Sequence, residues 1–302
     1  MRICSFFSSA TELLYALGCG RWVVGRSERC DYPPPVRHKP IVVRSRIDSD
    51  HLSSREIDEA VQDLRKRGEH HYRIERSLLK RLHPDLVVTQ ELCNVCAASH
   101  PEVVEAIQGL SPIPKAVTVS ARRFEELFDS IEVLGHATGR TRQAKALSGR
   151  LRREAQITQR RVSRVRRKPK VWCAEWLDPL FAAGHWIPEL VTMAGGIDSL
   201  GKVGEDSPRL TWEQVRRVNP DVIIAMPCSF SMARTIKEMP LLTRRPGWRA
   251  LSAVQQGRVF AVDTSFFHRP GPRLIQGLKL MAALFHPDLF PKPPPSQARA
   301  LL

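Results

Sequence analysis

Four cysteines are the residues of this chain best suited by type and spacing to do chemistry. Cys30, Cys93, Cys96 and Cys228 each stand just past the end of a predicted strand, and Cys93 and Cys96 form a CxxC pair. Cys93 follows Asp85, and Cys228 follows Asp221, at nearly the same interval. Four converging thiolates suit Zn²⁺ or an iron–sulfur cluster. A CxxC pair at a helix N-terminus serves equally for thiol–disulfide chemistry. Cysteine is also among the most buried residue types, so inert packing explains the same positions. All three readings stay open on the sequence. Cys4, Cys19 and Cys173, the last partly within its strand, read as packing.

Aromatic residues collect in the strand-end loops of the second half: Trp176, Phe266 and Phe267, with Trp172 and Trp186 nearby. Flat apolar walls of this kind suit a large planar ligand such as a corrin or a porphyrin, or else cover an interior. His185 and His268 are candidate axial ligands to a metal, with a hydrogen-bonded structural role as the alternative. Glu175 and Asp178 are close enough in sequence to pair for acid–base work. Arg29, Arg269 and Arg273 suit carboxylates or phosphate on a ligand. Arg26, Arg29 and Arg269 would offset the negative charge of clustered thiolates.

The elements that must position these residues repeat. Glu12 to Gly18 recurs as Glu189 to Gly195, each an amphipathic helix stopped by glycine. Leu78 to Val88 recurs as Gln214 to Ile224, each a helix end, a Pro-Asp turn and a short β-branched run. That pattern is a helix feeding a buried parallel strand. Third strands follow at Ala116 to Val119 and Arg258 to Val262. Strands alternating with helices predict α/β architecture with parallel sheets, and two copies predict two Rossmann-like lobes. The expected division is an N-terminal lobe over 1–122, a helical linker over 123–168 and a C-terminal lobe over 169–302. Ser53-Ser54-Arg55-Glu56 is a capping-box pattern opening a helix that stops at Gly68. A long helix over about 141–165, roughly 37 Å at 1.5 Å per residue, is expected to join the lobes. Its basic end, Arg160 to Lys168, complements the helix dipole.

With 302 residues, 42% of them hydrophobic and 26% charged, the composition is that of a globular protein. No run approaches the roughly 18 apolar residues of a membrane span, so no membrane insertion is expected. Lys and Arg number 47 against 31 Asp and Glu, a net +16. Such a field favours anionic partners, but zinc-finger spacing, a helix-turn-helix and aromatic–basic stripes are all missing, so no nucleic acid is expected. The first residues carry no long apolar stretch of a secretory signal, and seven is an odd number of cysteines. Both point to reduced thiols and a cytoplasmic monomer.

The chain resembles the periplasmic binding proteins of vitamin B12 and iron-siderophore ABC importers, and the cobalamin-binding branch in particular. The resemblance runs over nearly the whole length. It rests on Thr11-Glu12-Leu13, Asp31-Tyr32-Pro33, His83-Pro84-Asp85-Leu86-Val87, Asp178-Pro179-Leu180-Phe181 with Gly184, Trp212-Glu213-Gln214-Val215, and Pro272-Arg273-Leu274. It implies two lobes joined by one rigid helix and a non-enzymatic protein clamping a metal-containing small molecule, cobalamin or another corrinoid first, haem or a siderophore next. The residues expected at the ligand are Arg29, Trp176, Phe266, Phe267, His268 and Arg269. The corrin-holding aromatics of lobe 1 are replaced near Arg29 and Gln90, beside the cysteines. Glu213 matches one permease-docking position of the family, but the other falls at Ser77. Without an export signal, an ABC permease is therefore not the expected partner. The alternative is a cytoplasmic iron–sulfur or metal–thiolate protein on the same scaffold, with Cys30, Cys93, Cys96 and Cys228 as ligands.

Overall fold

A computed structural model describes residues 1–90 and 100–301. The chain divides into two compact units, one of Met1–Ala121 with Glu125–Arg150, the other of Arg122–Phe124 with Leu151–Leu302. Unit 1 is built on a sheet of β1 (Ile3–Ser5), β2 (Val23–Ser27), β3 (Ile41–Ser45), β4 (Tyr72–Ile74), β5 (Leu86–Thr89) and β6 (Lys115–Thr118), in the order β4-β3-β2-β1-β5-β6. All neighbours are parallel except β3 and β4. Unit 2 holds β7 (Lys170–Leu177), β8 (Leu180–Ala182), β9 (Ile197–Asp198), β10 (Val222–Ala225), β11 (Val259–Val262) and β12 (Ala298–Ala300). Its order is β12-β11-β10-β7-β8, with β9 also on β7. The edge pairs β7–β8 and β11–β12 are antiparallel.

The two repeated Pro-Asp turns are built alike. In unit 1 the helix α1 (Ser8–Ala16) follows β1, α2 (Ser54–Lys66) follows β3, and α3 (Arg76–Leu82) ends at His83 in the left-handed region, φ 41°. In unit 2 the counterpart of α3, Trp212–Val218, ends at Asn219 with φ 46°. Proline cannot continue either helix, and the following Asp turns back to the first strand of its own sheet. Asp85 Oδ2 accepts the Arg2 amide at 2.6 Å and Asp221 Oδ2 accepts the Lys170 amide at 2.9 Å. Each aspartate's own amide then donates to the carbonyl of that same residue at 2.8 Å. Both strands that follow, β5 and β10, are buried at every position, which is why they read as unbroken apolar runs.

The Ser53–Glu56 capping box is present, with both reciprocal hydrogen bonds. The stretch expected to stand apart as a linker is shared between the units. After α4 (His100–Gln108), α5 (Glu126–Ala137) buries Leu127, Phe128, Ile131 and Leu134 in unit 1. The long helix α6 (Thr141–Val162) belongs to unit 1 as far as Arg150 and to unit 2 from Leu151. Its sparse apolar residues Ala144, Leu147, Leu151 and Ala155 are buried and Ile157 is exposed. No described helix is long and apolar enough to cross a membrane.

Candidate functional site

In parallel sheets, the loops beyond the carboxyl ends of the strands are where ligands bind, because helix N-termini and side chains from several strands meet there. In unit 2 three such ends carry the polar residues: Glu175 and Trp176 from β7, Met226 to Phe230 after β10, and Thr264 to Arg269 after β11. Glu175 interrupts the apolar run Val171 to Leu177 of β7, yet its carboxylate is fully engaged. Ser207 Oγ donates to Oε2, and His268 Nδ1 lies 3.4 Å from Oε1. His268 Nε2 donates to the Met226 carbonyl at 2.6 Å. With both ring nitrogens held by oxygen acceptors, His268 has no lone pair to offer a metal in this arrangement and acts as a charged strut. Burial works against its charge, but Cys228, Glu175 and the Met226 carbonyl together outweigh it and push the imidazolium up to about 9. Burial likewise opposes the Glu175 carboxylate, and His268, Ser207 and His185 still hold it below the usual range.

A second layer fixes the loop that delivers Ser207. Ser207 Oγ accepts the Gly184 amide at 3.1 Å, and the His185 amide donates to the Glu205 carbonyl at 2.7 Å. Asp206 Oδ1 lies 3.2 Å from His185 Nε2 and accepts Arg122 Nη1 at 3.0 Å. Burial lowers the His185 imidazole despite Glu175 and Asp206. His185 is therefore an anchor for the loop, with φ 53°. Only glycine fits at 184, since a Cβ there would stand 2.5 Å from the Glu205 carbonyl oxygen and 2.7 Å from the Ser207 nitrogen.

The aromatic residues separate into two groups. Trp176 is half-buried and its ring lies 5.0 Å from that of Phe230, whose other neighbour is the Arg234 guanidinium at 3.9 Å. Phe266 is nearly buried, with the Arg273 guanidinium 5.7 Å from its ring, and Arg273 also donates to Ser265. Phe267, expected at the ligand, is instead fully interior. Its ring packs where Gly277 leaves room and its carbonyl accepts the Trp186 indole at 2.7 Å. Trp172 is likewise core. Arg269 is partly exposed beside His268. Sequence reasoning missed Phe230, Arg234 and Ser207. Glu175, a carboxylate inside the apolar run Val171 to Leu177, was the one local signal for the buried network.

In unit 1 the corresponding loops carry Arg29 and Cys30. Arg29 Nη2 donates to Ser49 Oγ at 2.7 Å and its carbonyl accepts Ser8 Oγ at 2.6 Å. Cys30 has no exposed surface and lies 3.0 Å from Thr11 Oγ1. Arg26 is buried and donates its guanidinium to the carbonyls of Ser27, Glu28, Arg37 and Lys39, so it shapes the loop. Cys93 and Cys96 lie outside the described residues. Cys30 belongs to unit 1 and Cys228 to unit 2. Among the described residues, no three His, Cys, Asp or Glu side chains are grouped to hold a metal ion.

The two α/β units, each opening its strand ends to loops of this kind, define a binding-protein scaffold. Over residues 3–265 the chain matches the periplasmic binding protein family, and it belongs to that family. An uncharacterized ABC transporter substrate-binding lipoprotein, YvrC of Bacillus subtilis, is 26% identical over 96% of this chain and 81% of its own. A vitamin B12-binding protein of Vibrio cholerae is 25% identical over 92% of this chain and 86% of its own. The crystal structure of a periplasmic haem-binding protein from Pseudomonas aeruginosa superposes with a TM-score of 0.74 at 20% identity, covering 97% of this chain and 95% of that one. This last likeness speaks to the fold alone.

These findings correct one expectation and leave a second without support. The cytoplasmic placement is overturned, since the family is periplasmic and its relatives include a lipoprotein of an ABC transporter. The odd cysteine count misled because Cys4, Cys19, Cys30 and Cys173 are all buried, so their thiols need no reducing compartment to persist. The iron–sulfur or zinc reading finds no support among the relatives: the curated relative whose ligand is named is described by vitamin B12.

Proposed function

We propose that this chain is the substrate-binding component of an ABC importer and that its ligand is a metal-bearing tetrapyrrole-like ring, a corrinoid in the first place and haem in the second. Binding, and no turnover of the ligand, is the role. The observation that carries this reading is the half-buried Trp176 at the carboxyl end of β7, backed by Phe230 and Arg234. A flat indole face supported from behind suits a broad planar ring, and guanidinium groups nearby suit the carbonyl, amide or carboxylate groups around its rim. The vitamin B12-binding relative, similar over nearly the whole chain, supports ranking the corrinoid ahead of haem. Family membership favours an ABC permease as partner, with Glu213 at one docking position of the family even though the other falls at Ser77.

Titration of the purified protein with cyanocobalamin and, separately, with haemin tests the reading, following quenching of tryptophan fluorescence and the visible spectrum of the ligand. Saturable one-to-one binding of the corrinoid supports it, and haemin binding alone selects the second ligand. If neither compound binds, the tetrapyrrole assignment falls and only the family assignment stands.

A further inference from the structure

The end of α6 and the segment that runs from it into β7 are densely cationic. Between Leu151 and Lys170 stand nine Arg and Lys side chains against one carboxylate, Glu154, which Lys279 pairs at 2.6 Å. Twenty residues of unit 2 thus carry half of the net +16. Arg160, Arg161, Arg164, Arg166 and Lys168 are exposed, and among the described residues no acidic side chain pairs with them. Arg161 lies against the Phe290 ring at 4.7 Å, and Arg167, 86% exposed, reaches Asp221 only at 3.8 Å. The helix dipole accounts for Arg160 and Arg161 in the last turn. It does not account for Arg164, Arg166, Arg167 and Lys168, which stand beyond the helix end and repel one another until an anionic surface meets them.

Aliphatic side chains are exposed among these charges. Ile157 is 65% exposed on α6, one turn from Arg153 and from Arg160 and Arg161, which share its face. Ile197 is 46% exposed, and its amide donates at 2.9 Å to the carbonyl of Pro169, the residue directly after Arg166-Arg167-Lys168. Between them the Gly195 turn packs on the end of α6, where a Cβ would stand 3.1 Å from that of Val162. A hollow of about 160 Å³ opens at this junction, lined by Val162 and Met193 on its apolar side and by Ser163, Thr192 and Lys168 on its polar side. The whole surface surrounds the start of β7, at the opposite end of that strand from Glu175 and Trp176. A dissolved polyanion would satisfy the arginines and leave Ile157 and Ile197 in water. At a bilayer surface, phosphates and acyl carbons lie within one side chain's reach of each other, so both kinds of residue are satisfied together.

We propose that this face of unit 2 docks on anionic phospholipid membrane. Arg160, Arg161, Arg164, Arg166 and Lys168 contact the headgroup phosphates, and Ile157 and Ile197 enter the interface between them. The contact is peripheral and reversible, and no segment enters the bilayer core. Salt weakens it, because the attraction acts over a Debye length. The face is independent of the ligand assignment above and leaves the strand-end loops of Trp176 and His268 free.

Cosedimentation of the full chain with phosphatidylcholine vesicles, with and without phosphatidylglycerol, tests this at about 0.1 M salt. The protein should sediment with the phosphatidylglycerol vesicles and stay in solution with the others. A triple variant, Arg160→Gln with Arg164→Gln and Arg166→Gln, should bind roughly tenfold or more weakly. The control variant, Arg65→Gln with Lys80→Gln and Arg81→Gln, removes the same charge from exposed positions of unit 1 and should bind like wild type. Ile157→Ser keeps every charge and should still bind several-fold more weakly. Absence of wild-type binding to the phosphatidylglycerol vesicles overturns the proposal. Equal losses in the two triple variants also overturn it, since net charge and not this face would then hold the vesicles. Binding to heparin with none to vesicles assigns the face to soluble polyanions and overturns it as well. Unchanged affinity of Ile157→Ser overturns the apolar part of the contact.

Discussion

Glu175 Oε1 and His268 Nδ1 lie 3.4 Å apart, and their pairing ties the end of β7 to the loop after β11 inside unit 2. Two groups that water would hold charged at little cost are here charged and largely buried. Such a pair is costly to break from one side, because the remaining ion is left unpartnered.

The pair therefore makes stability depend on pH in a defined direction. The His268 imidazolium is raised from 6.5 to about 9, so folding favours its protonated form. Below pH 6.5 the folded and unfolded chains both hold the proton and the stabilisation is complete; it is lost as pH rises through about 9. Urea unfolding should show roughly 3 kcal/mol less stability from this group at pH 10 than at pH 6. The gap between wild type and His268→Gln should narrow over that range, and a gap of constant size would contradict the assignment.

Gly184→Ala should destabilise the protein by roughly 1–3 kcal/mol, because backbone atoms of Glu205 and Ser207 occupy the space a methyl group needs. The displaced loop carries Ser207 away from Glu175. The melting temperature should fall, and the pH dependence assigned to His268 should weaken with it. A variant as stable as wild type would show that the loop yields without cost.

The twin aspartates offer a comparison between units. Asp221 has a side chain 19% exposed and Asp85 one 58% exposed, though each accepts the first amide of its own sheet. Charge-assisted hydrogen bonds are worth roughly 1.5–3 kcal/mol where water is excluded and less where it competes. Asp221→Ala should therefore cost about 2 kcal/mol in denaturant unfolding and Asp85→Ala about half of that. Equal losses would show that exposure does not set the difference.

Trp176→Ala should weaken binding of the corrinoid, or of haemin where that is the ligand, by roughly 1–3 kcal/mol, the scale for one buried aromatic contact. Calorimetric titration of the folded variant measures it. Unchanged affinity would remove Trp176 from the site.

Much of the scaffold was legible in the amino-acid order because its signals are local. The capping box at Ser53 and Glu56, the glycine stops Gly18 and Gly195 at positive φ, and the His83-Pro84-Asp85 and Asn219-Pro220-Asp221 turns each act within a few residues. Repeated in two halves, they specify two parallel α/β units whatever the rest of the chain does. The site is another matter. Glu175 meets His268 and Ser207, and takes no acid–base partner from its near neighbours, only because β7, β10 and β11 lie side by side in one sheet. Phe266 and Phe267 are adjacent in sequence, yet only tertiary packing sends Phe267 into the core. The compartment was misread for the same reason: burial protects Cys4, Cys30 and Cys173, and burial is a property of the folded chain. The sequence by itself determined the repeated helix, turn and strand signals, since those are set by near neighbours. Which charges meet, and which aromatic ring enters the core, only the tertiary structure decided, since those contacts join residues that the chain holds far apart.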